Sequence, residues 1–181
     1  MKIKSLFLVL FVFLLGAAFA TTVIPLSVEE LVQISSHIIE GRAVQSWSQW
    51  DANHNFILTY TKFQVQHTLK GQVGQEIIVR QLGGTVDGIT QTVSGIHHWR
   101  VGEQAVLFLR PGRIMDGSLE VTGLVQGNFL VRTGPNGEKL VSNGVPGVSS
   151  LKPGASMATQ YRGSAMRMQD LESRVQKVVQ Q

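Results

Sequence analysis

The 181-residue sequence contains no cysteine. This absence excludes disulfide bonds, catalysis by a thiolate and zinc sites with cysteine ligands. It also excludes a lipid anchor on an N-terminal cysteine. The folded chain must therefore be stabilised by packing and hydrogen bonds alone.

The chain also lacks an apolar run long enough to span a bilayer, which takes about twenty residues. Residues 6–15 form an uninterrupted apolar run of only about ten, preceded by two lysines. Ala18 and Ala20 are small residues at the two positions that a signal peptidase reads. We therefore predict a signal peptide over residues 1–20, cleaved near Ala20, and a periplasmic or secreted product with no stable membrane anchor.

Charge is scarce, because only 15% of the residues are charged. Loss of Lys2 and Lys4 with the signal peptide leaves 14 basic and 12 acidic residues, a net charge of +2 instead of +4. No cluster of lysine and arginine stands out in the remaining chain. Binding to nucleic acid depends on such clusters, so we expect no nucleic-acid partner.

The polar and apolar pattern predicts one helix followed by strands. Ser27 and Glu30 have the spacing of a capping box, which predicts a short helix that begins there. Alternation over residues 57–69 predicts a long antiparallel strand with one face in water. The unbroken apolar run at 105–109 predicts a central strand buried on both faces. Further strands and turns are predicted at 38–44, 51–55 (turn), 77–82, 116–117 (turn), 120–125, 128–133, 135–137 (hairpin turn) and 139–141.

Two segments of the sequence lack this regular pattern. Residues 83–103 have no clear period, and we interpret them as a long loop with a short strand at 92–94; loops of this length are uncommon unless they carry a function. Residues 144–163 are rich in Gly, Pro and Ser and predict a linker. Apolar residues at helical spacing over 164–181 predict an amphipathic helix, docked either on the domain of residues 21–143 or on a partner.

Three segments follow one another in the same order as in a known module. Residues 36–44 contain an apolar pair, Gly, a basic residue and Val. Residues 61–71 end in Lys-Gly, and residues 102–109 form an apolar strand that begins with Gly. Over residues 36–132 the chain resembles a family of uncharacterised bacterial exported proteins and, more distantly, the netrin-type module of tissue inhibitors of metalloproteinases. The resemblance implies a mainly β fold, a small OB-like antiparallel barrel flanked by an N-terminal and a C-terminal helix. Those inhibitors chelate zinc through an N-terminal cysteine, which this chain lacks, so no functional residue is transferred.

The candidate binding residues are polar and aromatic. His97, His98, Trp99 and Arg100 form the densest cluster, within the long loop. Neighbouring residues of an extended chain point to opposite sides, so His97 and His98 do not suit a shared metal ion. The other candidates are Trp47 and Trp50, which form either an exposed aromatic patch for a partner or a sugar, or a pair packed under the first helix.

No catalytic set is recognisable. His37, His54 and His67 lie in separate predicted elements. Ser94 lacks the spacing of a nucleophile elbow, and the carboxylates of the predicted loops and strand edges suit turn chemistry. Glu103, for example, can accept hydrogen bonds from loop amides. We therefore predict no catalytic residue, no metal site and no cofactor.

Three functional hypotheses follow. The first is a non-enzymatic binding module for another exported protein, including a protease-inhibitor-like role, acting through the loop at 83–103. The second is binding of an oligosaccharide or small ligand on the barrel face, which would require Trp47, Trp50 and Trp99 around one groove. The third and least favoured is a metal-dependent hydrolase, which would require two histidines to converge with a carboxylate.

Overall fold

The computed structural model describes residues 25–114, 116–143 and 165–181. Within these ranges the chain forms two helices and ten strands. The helices are α1 (Val28–Ile34) and α2 (Met168–Val179). The strands are β1 (His37–Trp50), β2 (Ile57–Lys70), β3 (Glu76–Leu82), β4 (Gly84–Val86), β5 (Ile89–Gln91), β6 (Gln104–Pro111), β7 (Leu119–Val121), β8 (Asn128–Thr133), β9 (Lys139–Ser142) and β10 (Met166–Arg167).

Five of the strands close into a barrel in the order β1-β2-β3-β7-β6, with β6 pairing back onto β1. Strands β8, β9 and β10 extend the sheet beyond β6. The pairs within the barrel are antiparallel except β3 with β7, which is parallel. The prediction of a small OB-like barrel with a helix near each end is confirmed.

Strand β6 separates two hydrophobic cores. Ala105, Leu107 and Leu109 point into the barrel, whereas Val106 and Phe108 lie under the two helices. Side chains alternate between the faces of a strand, so an unbroken apolar run can supply both cores at once. This confirms the prediction of a strand buried on both faces.

Both helices cover the outside of the barrel. Ser27 Oγ accepts a hydrogen bond from the Glu30 amide, and Glu30 Oε2 accepts one from the Ser27 amide at 2.7 Å, so the predicted capping box is confirmed. Helix α2 docks on its own chain, and Arg174 donates to both carboxylate oxygens of Glu29 on α1, at 2.7 and 2.6 Å. No described helix is long and apolar enough to cross a membrane.

Several predicted boundaries differ from the structure. Strand β1 continues to Trp50, six residues beyond the predicted strand at 38–44. The first half of β2 is buried on both faces, because Leu58 and Tyr60 are covered by neighbouring segments, so only its second half has the predicted wet face. Strand β7 ends at Val121 and is followed by turns.

The predicted loop at 83–103 is more ordered than its composition suggested. Its first part folds into the hairpin of β4 and β5, and no strand forms at 92–94. Gly83 and Gly84 permit the sharp change of direction after β3, since both have positive φ angles. The predicted signal peptide (1–20) and linker (144–163) lie outside the described residues.

The docking of α2 can be tested by removing part of its buried face. Leu171 is fully buried in the core beneath the helices. We expect Leu171→Ala to lower the free energy of unfolding by about 2–5 kcal/mol, because it leaves a cavity in a packed core. The same truncation at the half-exposed Val179 should change it by about 0.5 kcal/mol or less. Urea unfolding of both variants measures the difference, and equal effects would contradict the docked arrangement.

Candidate binding cleft

Trp99 is part of the barrel interior. Its ring packs edge-on against Phe63 at 4.9 Å between centroids, and its indole N–H donates to Asn128 Oδ1 at 3.1 Å. Only 2% of the residue is exposed. The long loop is therefore held in place by a tryptophan that fills one end of the barrel, and Trp99 cannot contact a ligand on the surface.

The two histidines of the loop have separate partners, as their extended backbone implies. His97 Nε2 lies 2.7 Å from Glu103 Oε2, and His98 Nε2 lies 3.0 Å from the carbonyl oxygen of Leu82. Burial opposes the charge of Glu103, but hydrogen bonds from His97 and from the Arg100 amide hold the pKa of this carboxyl below its usual value. The His98 contact fastens the loop to the end of β3, and the His97 contact joins two parts of the loop just before β6.

The other predicted binding residues lie on β1 and at the loop surface. Trp47 stacks on Tyr60 with 5.5 Å between ring centroids, and Trp50 stacks on His54 at 5.8 Å. Arg100 is exposed. Because Trp99 is inside the barrel, the three tryptophans do not surround one groove.

Histidine and carboxylate meet at two places in the described chain. One is the contact of His97 with Glu103, and the other places His67 Nε2 3.8 Å from the buried Glu40, whose second oxygen accepts from Lys139. No group of three or more His, Asp or Glu side chains that could hold a metal ion occurs among the described residues.

A row of side chains crosses the outer face of the barrel. Register pairs place Trp47 beside Tyr60, Tyr60 beside Arg80, Arg80 beside Glu120, and Glu120 beside Arg110. Directly paired residues share one face of a sheet, so all five point outward from β1, β2, β3, β7 and β6. We call this set the outer row.

The centre of the outer row is a buried ion-pair network. Arg80 donates to Asp116 Oδ2 at 3.1 Å and to Glu120 Oε1, and the Tyr60 hydroxyl donates to the same Asp116 oxygen at 3.2 Å. Burial works against the charge of Arg80, but the two carboxylates raise its pKa above the usual value. The guanidinium therefore stays charged and ties β3 to β7 and to the turn that follows β6.

The network affects the pKa of its other members as well. Burial, reinforced by the Asp116 carboxylate, raises the pKa of Tyr60. Burial opposes the charge of Asp116, but hydrogen bonds from Ser118 and the charge of Arg80 lower the pKa of this carboxyl below 3.8. At neutral pH the network thus contains the protonated phenol of Tyr60, the charged guanidinium of Arg80 and the ionised carboxylate of Asp116.

Beside the network lies a cleft of about 310 Å³ at the start of β2 and the end of β3, which we call the β2–β3 cleft. It is formed by the turn after β1, the ends of β2, β3 and β6, strand β7 and the segments that follow β5, β6 and β7. The lining residues are Asp51, Phe56, Leu58, Arg80, Gln81, Leu82, Ile96, Arg110, Arg113, Ile114, Glu120, Val121 and Leu124.

The lining includes four large apolar side chains that are about half exposed: Phe56 at 56%, Leu82 at 41%, Ile114 at 50% and Leu124 at 59%. They come from four separate segments of the chain. Single exposed apolar residues are normal on a protein surface, but a contiguous set around a concavity is typical of a binding site. The apolar rim therefore makes the β2–β3 cleft a candidate binding site.

Leu124 has a backbone conformation that leucine rarely adopts. Its φ angle is 62°, in the left-handed region. For residues other than Gly, Asn and Asp, this backbone conformation is about 1–2 kcal/mol less favourable than the right-handed one. The side chain held there is mostly exposed, so burial in the core does not compensate for this cost. Strained residues of this kind are concentrated at functional sites.

Polar groups in the cleft are not fully satisfied. The side-chain oxygen of Gln81 and Nε of Arg110 are buried and have no hydrogen-bond partner within the described part of the chain. Arg113 is exposed, and its side chain makes no ion pair with any described residue. The Asp51 carboxylate, in contrast, accepts hydrogen bonds from the amides of its own turn. Among the described residues, the cleft thus offers one unpaired acceptor, on Gln81, and unpaired donors on Arg110 and Arg113 beside its apolar rim.

Sequence reasoning missed this site because no motif marks it. Its residues are distant along the chain and are brought together by the closure of the barrel. A weak signal exists in hindsight: Phe56, Leu82 and Leu124 are large apolar residues next to Asn or Gly of turns, where polar residues are usual. Comparison of the sequence with protein-family models and with curated proteins finds no match.

The ion-pair network predicts a specific dependence of stability on pH. The pKa of Asp116 is lowered by folding, so its contribution is present above about pH 3.8 and is lost as the pH falls through the lower folded value. We expect Asp116→Asn to reduce the free energy of unfolding by about 1–3 kcal/mol at pH 7, with the difference from the parent shrinking below pH 3.8. Urea unfolding between pH 7 and pH 2 measures this.

The matched control is Asp87→Asn in the exposed turn between β4 and β5, where the carboxylate forms no ion pair with any described residue. That variant should follow the parent at every pH. A constant difference between Asp116→Asn and the parent across the range would show that the charge of Asp116 does not stabilise the fold.

Proposed function

We propose that the chain is a non-enzymatic binding module for another exported protein, and that the β2–β3 cleft receives an apolar segment of that partner. The observation that carries the proposal is the set of four exposed apolar side chains around one concavity. The expected signal peptide supports a partner outside the cytoplasm.

The apolar rim supports recognition through burial of a side chain of the partner. Covering one large apolar side chain contributes about 1.5–3 kcal/mol, and a few such anchors dominate most protein interfaces. Phe56, Leu82, Ile114 and Leu124 can surround one inserted side chain and lose their own contact with water at the same time. A protein segment provides such a side chain more readily than a sugar does.

The cations of the cleft support an acidic group in the partner. Glu120 is already paired with Arg80, and the carboxylate of Asp51 is bonded to its own turn. Arg110 Nη2 lies 3.8 Å from the second carboxylate oxygen of Glu120, so Arg113 is the cation of the lining without an ion pair to any described residue, and it can pair with a carboxylate of the partner. Arginine is suited to this role, because its planar group binds a carboxylate through two parallel hydrogen bonds.

The loop at 83–103 contributes fewer residues to the proposed binding site than its length suggests. It contributes Ile96 to the lining of the cleft, and its His98 is bonded to the carbonyl of Leu82 on the rim. The rest of the loop is fastened through Trp99 and Glu103. We infer that the loop shapes one wall of the cleft.

Oligosaccharide binding is a second candidate, favoured by one observation. Trp47 and Tyr60 are stacked on the outer row, on the same face as Arg80, and OB folds bind ligands on the face of their second and third strands. Sugar rings stack on such aromatic surfaces. The mainly aliphatic rim of the cleft favours the protein partner over the sugar.

Leu124→Asn separates binding from folding. Asparagine tolerates the left-handed conformation, so the free energy of unfolding should stay within about 1 kcal/mol of the parent or rise. Partner capture should fall by about ten- to a hundredfold, because an apolar anchor is lost. The measurement is a pull-down from periplasmic or secreted extract with residues 21–181, with the amount of each captured protein compared between variants.

The control is Val101→Asn, which replaces a 67% exposed apolar residue away from the cleft. It should capture the same proteins as the parent. Equal capture by the parent and both variants would exclude the cleft as the binding site. Loss of glycan binding in Trp47→Ala, with unchanged protein capture in Leu124→Asn, would favour the oligosaccharide candidate instead.

A further inference from the structure

Strand β1 has a free edge along its second half. Its first half pairs with β2 on one side and with β6 on the other, the latter over His37 to Arg42. From Gln45 to Trp50 it pairs with β2 only, and no other described strand forms ladder hydrogen bonds with it. The hairpin of β4 and β5 packs near Ser48 but forms a separate two-stranded sheet.

The backbone groups on this edge can be identified from the register. The Asp51 amide donates to the Phe56 carbonyl, so the peptide groups of Asp51, and by alternation those of Gln49, Trp47 and Gln45, face β2. The peptide groups of Ser46, Ser48 and Trp50 therefore face away from β2. Within the described part of the chain, these peptide groups have no backbone partner and form the donors and acceptors of the edge.

The edge has few of the features that usually prevent pairing. Gln45 to Trp50 include no charged residue and no proline, which natural proteins place on exposed edges to block association. The bulge between Ala43 and Gln45 interrupts the strand at one end only. The nearest charges are opposite in sign, Arg42 before the edge and Asp51 after it.

We propose that this edge pairs with the same edge of a second copy of the chain, antiparallel and centred on Trp47. In that register Ser46 of each copy lies opposite Ser48 of the other, and these are the residues whose peptide groups face outward, so they form hydrogen-bonded pairs. A two-fold interface of this kind is self-complementary.

The side chains fit the same register. Trp47 of each copy lies opposite Trp47 of the other on the outer face, which extends the stack with Tyr60 into a continuous aromatic ladder. Arg42 precedes the paired stretch of one copy and Asp51 follows that of the other, so residues of opposite charge come to the same end of the stretch, at both ends. This match of charge favours a second copy over an unrelated strand.

The paired stretch is short, about five residues from each chain. Stable dimers bury more surface than such a stretch provides, so the expected association is reversible, with a dissociation constant of about 1 µM or weaker. Sedimentation equilibrium of residues 21–181 over a wide range of concentration measures it directly.

Two double variants test the register. Gln45 of one copy lies opposite Gln49 of the other, on the outer face. Gln45→Glu with Gln49→Glu places like charges opposite each other twice, and Gln45→Glu with Gln49→Lys places opposite charges there twice. We expect the dimer of the second variant to have a dissociation constant on the order of tenfold lower than that of the first. The reason is that the interaction at each of the two facing pairs changes from repulsion to attraction.

Folding of the monomer is checked separately by circular dichroism and thermal melting, and both double variants should resemble the parent, because both positions are exposed. Ser46→Pro, which removes an outward amide, should abolish the dimer, whereas Ser46→Ala should keep it. A parent that remains monomeric at millimolar concentration would overturn the proposal. Equal dissociation constants for the two double variants would also overturn it, since the dimer would then use another surface.

Discussion

The pairing of β1 with β6 is the constraint on which the rest of the molecule depends. It spans only His37 to Arg42 on β1, yet it closes the sheet into a barrel and so creates an inside and an outside. Ile38 and Ile39 are adjacent in this stretch and contribute to different cores, the first beneath the helices and the second within the barrel. Without this closure the helices would have no continuous surface to cover.

The same closure explains why the candidate site lies where it does. A barrel of five strands has an interior only large enough for side chains, and Trp99 and Phe63 fill one part of it. A ligand of any size must therefore bind outside the barrel interior, and the outer row and the β2–β3 cleft both lie on that outer surface. The ion pairs of Arg80 hold three segments together at that surface and leave the neighbouring apolar side chains exposed.

The sequence predicted those elements whose own residues determine their structure. The capping box of α1, the hairpin turn at 135–137 and the buried strand β6 follow from local spacing, and all are found. The burial of Trp99 could not be predicted, because a tryptophan in an irregular loop enters the core only if the barrel leaves a space of the right shape. The cleft could not be predicted either, since it exists only where distant segments meet, and no local pattern pairs Phe56 with Ile114 or Leu124.

The bulge before Gln45 shifts the alternation of inward and outward side chains along β1 by one residue. Before the bulge, odd-numbered residues such as Ile39 and Ala43 point into the barrel. After it, the even-numbered Ser46 and Ser48 lie on the inner face, where their hydroxyls form hydrogen bonds with those of Thr61 and Thr59. Trp47 then points outward. The bulged residue therefore determines which side chains of the second half of β1 lie on the outer face of the barrel. If Val44 took part in the regular alternation instead of forming the bulge, the serines would lie on the outer face and the tryptophan would point inward.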